Sequence, residues 1–79
     1  MRIIGDIPHD MYKITLFDWN GKYIIKIESG PYEQSYKIDQ MDIDQADIPS
    51  LLDTVFMEGV TRRFHEMHRD ITGASERLL

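Results

Sequence analysis

Asn20-Gly21 lies between two runs of alternating apolar and polar residues, Met11–Trp19 and Lys22–Ser29. This dipeptide is the strongest short-range signal for a β-hairpin, because both positions of a two-residue type I′ turn need positive φ. A two-residue loop also fixes register. Leu16 is then opposite Ile25, Ile14 opposite Ile27, and Asp18 opposite Tyr23, with Tyr12 facing Ser29, which gives one apolar face. The other face pairs Lys13 with Glu28, Thr15 with Lys26, Phe17 with Ile24 and Trp19 with Lys22. Opposite charges and a Thr-Lys pair suit a solvated sheet surface, so turn chemistry, pattern and charge agree.

Gly30-Pro31 ends the second run, and alternation resumes as Tyr32-Glu33-Gln34-Ser35-Tyr36-Lys37-Ile38. Closing on that turn sets Tyr36 against Ile25, Ile38 against Tyr23 and Gln34 against Ile27. The expected unit is a three-stranded antiparallel meander over residues 11–38 with one face to be covered. Residues 1–10 read as an N-terminal arm. Arg2–Ile4 can form a short extended segment there, and Pro8 confines any such strand to an edge.

Residues 39–58 hold five aspartates and one glutamate with no lysine or arginine, more than the whole formal charge of −5. Residues 39–47 read as an acidic linker, and Asp47-Ile48-Pro49-Ser50 as a helix start with Asp47 as N-cap. One helix is expected over 48–72, stopped by Gly73, with 73–79 as a tail. At 100° per residue its apolar positions divide. Ile48, Leu51, Leu52, Val55 and Gly59 form one arc, expected to pack on the sheet. Phe56, Val60, Phe64, Met67 and Ile71 form a second, which a small flat sheet does not reach. Three covers are open to it: a bend near Gly59, the Ala74–Leu79 tail folding back, or the same helix of a second subunit; the last is the expected one, in a C2 pairing.

The fold class is therefore α+β: a three-stranded antiparallel β-meander followed by one long C-terminal α-helix (βββα), in a single domain of 79 residues. So small a core gains from oligomerisation, the more so as the chain has no cysteine for disulfides. No apolar run is long enough to span a bilayer, and Gly5, Asp6 and Pro8 interrupt any secretory h-region. The expected setting is cytoplasmic.

Chemistry-bearing motifs are few. His65-Glu66-Met67-His68 places two histidines three apart, where the metalloprotease helix motif needs four; two ligands fall short of a structural zinc site. Asp42, Asp44, Ala46 and Asp47 fill EF-hand slots without the fifth-position ligand or the turn glycine. No nucleophile motif or phosphate loop surrounds any serine, so no enzyme and no cofactor are expected. The acidic balance lacks the positive field that nucleic acid requires. Phe17, Trp19 and Ile24 form an apolar group on the outer sheet face, expected to be a second contact surface.

The run from Ile7 to Ile38, with Trp19-Asn20-Gly21-Lys22-Tyr23 at its turn, resembles the first half of a family of small bacterial proteins of unknown function. In these a WNGKY-type hairpin precedes one long helix, and the likeness spans roughly residues 3–38. The resemblance implies β-then-α order and a bacterial cytoplasmic setting, and carries no catalytic or binding residue.

The functional expectation is a non-catalytic, homo-oligomeric interaction or regulatory module, dimeric through its helix. Its contact residues would be Phe56, Val60, Phe64, Met67 and Ile71, with Phe17, Trp19 and Ile24 as the second surface. The alternative is a small-ligand or metal-binding accessory domain using His65 and His68, with His9 as a further donor. A third reading is single-stranded RNA binding through Phe17 and Trp19.

Overall fold

In the computed structural model, which describes all residues from Met1 to Leu79, four strands form one antiparallel sheet in the order β1-β2-β3-β4. They are β1 (Arg2–Ile7), β2 (Lys13–Trp19), β3 (Lys22–Ser29) and β4 (Tyr32–Asp39). A 3-10 turn at Gln45–Asp47 leads into α1 (Ile48–Leu51) and then the long α2 (Thr54–Leu78).

The registers from Lys13↔Glu28 to Trp19↔Lys22 and from Ser29↔Tyr32 to Lys22↔Asp39 follow the two turns. Asn20 (φ 52°) and Gly21 (φ 73°) are both left-handed, as a type I′ turn demands. At the next turn only Gly30 has positive φ (57°), which fits type II′ with proline in the second position.

The sheet has one strand more than the expected three. The N-terminal arm is itself an edge strand, and it carries a bulge: Ile3 pairs with Phe17 and Gly5 with Leu16, leaving Ile4 as the extra residue. The bulge shifts the alternation, so Ile3 lies on the outer face with Phe17 while Ile7 pairs with inward Ile14. An Arg2–Asp18 ion pair at 2.9 Å ties the start of β1 to β2.

The single helix expected over 48–72 is two. Leu52 leaves the helical region (φ −86°, ψ 53°), Asp53 is extended (φ −77°, ψ 176°), and α2 starts afresh. Asp47 makes no side-chain cap; Asp53 does, accepting the Phe56 N–H at 2.8 Å. The break rotates everything after it relative to Ile48. The second arc therefore reaches the sheet. Val60 and Phe64 are buried with Ile48, Ile14, Leu16, Ile25 and Ile27, whereas Val55 of the first arc is 78% exposed. Each large apolar side chain buried there contributes about 1.5–3 kcal/mol.

Gly73 does not stop α2, which continues to Leu78. An interior glycine costs about 1 kcal/mol relative to alanine, and the strong helix formers after it extend the helix regardless. No helix is long and apolar enough to cross a membrane.

Candidate interaction surface

α2 lies nearest β4, and the inward side chains of β4 hold it there. Gln34 donates to the Val60 carbonyl at 2.9 Å. Arg63 donates through Nε to Gln34 Oε1 at 3.0 Å and through Nη2 to Tyr36 Oη at 2.9 Å. The Tyr36 hydroxyl donates to Gln34 Oε1 at 2.7 Å. Phe56 meets Tyr36 edge to face at 5.1 Å, and the Arg63 guanidinium lies 5.9 Å from both rings. Gly59 leaves the space that the Arg62 and Arg63 guanidinium groups occupy. Neither arginine has a carboxylate within ion-pair distance; the cations so paired are Arg2, Lys22, Lys26 and Arg69.

Two shallow apolar hollows flank this network along the open side of β4. One is lined by Tyr36, Ile38, Leu51, Leu52 and Phe56. The other is lined by Tyr32, Met67, Asp70 and Ile71. Beyond them α2 outruns the sheet: 25 residues span about 37 Å as helix, and eight strand residues about 27 Å. The last link is His68 Nδ1 to the Tyr32 hydroxyl at 2.8 Å. After Met67 no apolar residue packs on the core, and Ile71 is 54% and Leu78 89% exposed.

The helix residues expected at a contact surface therefore divide. Val60 and Phe64 are core, with Phe64 against Tyr12 at 5.2 Å. They are corrected to structural positions, because the break at Leu52-Asp53 turns them onto their own sheet. Phe56 and Met67 are half-buried on the flank, and Ile71 is open. The sequence reading missed Tyr32, Gln34, Tyr36 and Arg63. The signal for the three β4 residues was that strand's inward alternation; Arg63, on the helix, had none.

On the outer face Ile3, Phe17, Ile24 and Lys37 form a row across the four strands. Ile24 is buried by its neighbours alone, Phe17 is half-buried, and Trp19 is 41% exposed with the Lys37 ammonium 5.5 Å from its ring centre. The lysines that would frame a nucleic acid are partly neutralised: Lys22 by Asp39 at 3.2 Å, Lys26 by Glu28 at 2.8 Å and Glu33 at 3.6 Å.

His65 is exposed on the helix, and His68 is committed to Tyr32. His9 stacks on Tyr12 at 5.2 Å, and its Nδ1 accepts the Met11 N–H. No three His, Asp or Glu side chains converge as a metal site would require. At the end of β4, Asp39 is held below the usual aspartate range by the Met41 N–H and then by Lys22. Asp18 is lowered by hydrogen bonds from Arg2 and Gln40. Both are surface ties within the sheet and to the turn after β4, not a reactive pair.

Comparison with known protein families, curated proteins and solved structures gave no match.

Proposed function

We propose that this protein is a non-catalytic, homo-oligomeric interaction module of the bacterial cytoplasm that pairs through the C-terminal part of α2. One observation carries the reading. The apolar stripe that seats α2 on the sheet, Val60, Phe64 and Met67, continues at the same alternating spacing of three and four as Ile71, Ala74 and Leu78. That continuation runs past the last residue to touch the sheet, with Ile71 and Leu78 exposed. An apolar surface left open in this way marks a contact site. A second copy covers it in a two-fold contact, in which the stripe of each chain packs on the other chain.

Light scattering at high micromolar concentration tests it. The parent chain is expected to be dimeric, and Ile71→Glu monomeric with a cooperative melt retained, since Ile71 supports no core contact. A monomeric parent overturns the proposal.

A further inference from the structure

β4 is an open sheet edge of eight residues, each in register with β3, with no bulge and no proline. The opposite edge differs: β1 is interrupted by its bulge between Ile3 and Gly5. A bulged edge resists pairing with another strand, and a regular one invites it. Ser29 and Tyr32 flank a two-residue turn and so form a hydrogen-bonded pair. Alternation then directs the N–H and C=O groups of Glu33, Ser35 and Lys37 away from β3, toward the open side.

We infer that this edge is where the second copy docks: β4 pairs antiparallel with β4 of the partner, centred on Ser35, making one continuous eight-stranded sheet. The inference rests on the self-association proposed above and names the surface that completes it. Charge selects the register. Centring on Ser35 sets Glu33 against the partner's Lys37 and Lys37 against the partner's Glu33. Moving the pairing by two residues sets Glu33 against the partner's Asp39 in one direction and Lys37 against the partner's Pro31 in the other. A shift of four sets Glu33 or Lys37 against its own counterpart, and larger even shifts leave at most three strand residues paired. Odd shifts set outward backbone groups against inward ones. Among registers that pair more than three strand residues, only this one sets opposite charges on both sides of the axis.

The same two-fold closes the apolar hollows. It lays the Ile38 end of one β4 beside the Tyr32 end of the other. The hollow of Leu51 and Phe56 then adjoins the partner's hollow of Met67 and Ile71. Leu51, 39% exposed, and Ile71 are thereby brought to one seam.

Light scattering of Glu33→Lys, Lys37→Glu and the double swap tests the register, beside oxidative cross-linking of Ser35→Cys. The chain has no other thiol, and Cα atoms across a hydrogen-bonded pair lie about 5.5 Å apart, within disulfide reach. Each single swap is expected to weaken dimerisation at least about tenfold through like-charge contacts. The double swap restores the dimer, and Ser35→Cys becomes a covalent dimer on oxidation. A dimeric parent whose single swaps stay dimeric and whose Ser35→Cys fails to cross-link overturns the β4 arrangement and leaves the α2 reading standing. A monomeric parent overturns both.

Discussion

The carboxylate of Asp53 accepts the backbone N–H of Phe56 at 2.8 Å, and this bond restarts the helix one residue after Leu52 has left it. The new phase decides which side of α2 reaches the sheet. Replacing Asp53 by Ala removes the acceptor and leaves an N–H of the first turn unpaired. The expected loss is about 1 kcal/mol, read from the urea midpoint with an unchanged slope.

Phe64 sits against Tyr12 in the core, beside Val60 and Ile27. Phe64→Ala is expected to cost about 3–5 kcal/mol by lost burial and the cavity left behind, measured by equilibrium denaturation. Phe64→Glu buries an unpaired charge and should abolish the cooperative transition. Near-parent stability in either variant would contradict the placement of α2.

Gly73 lies inside α2 without positive φ, and a Cβ there would meet nothing closer than Arg77 Nη1 at 3.5 Å. Gly73→Ala should therefore stabilise by about 0.5–1 kcal/mol. A thermal melt with raised midpoint and greater helical signal confirms it; a lowered midpoint places Gly73 in a tighter setting than this.

Asp18 is lowered by hydrogen bonds from Arg2 and Gln40, Asp39 by the Met41 N–H and Lys22, and Glu28 by Lys26. All three are depressed on folding. Their contribution is thus complete above the ordinary carboxylate values and is lost as pH falls through the lowered ones. Melting temperature should hold level at neutral pH and decline from about pH 4 downward. Asp18→Asn should flatten that decline, as followed by circular dichroism at a series of pH values. The Arg2–Asp18 and Lys22–Asp39 pairs are surface pairs, so added salt should weaken the effect.

The β2–β3–β4 registers were legible because each turn is two residues long, and such a turn sets pairing through local φ alone. β1 was not. Its bulge doubles Ile4 and Gly5 against Leu16, and the alternation that would have announced a strand is broken where it matters. In the candidate surface, Met67 and Ile71 were recognisable from helical spacing. Val60 and Phe64 shared that spacing yet belong to the core, since spacing gives relative angle and not which angle faces the sheet. The edge of β4 escaped notice because an open edge is a property of strand order.

Asn20-Gly21, Gly30-Pro31 and the alternating runs determine an antiparallel meander by themselves, for these are interactions between near neighbours in the chain. The charge balance and lack of cysteine likewise belong to the chain alone. Tertiary structure decided the rest: that the N-terminal arm joins the sheet, that the helix breaks at Leu52-Asp53, and that its C-terminal third stands clear. Those outcomes depend on how much apolar area each orientation buries across the whole domain, and no local window contains that comparison.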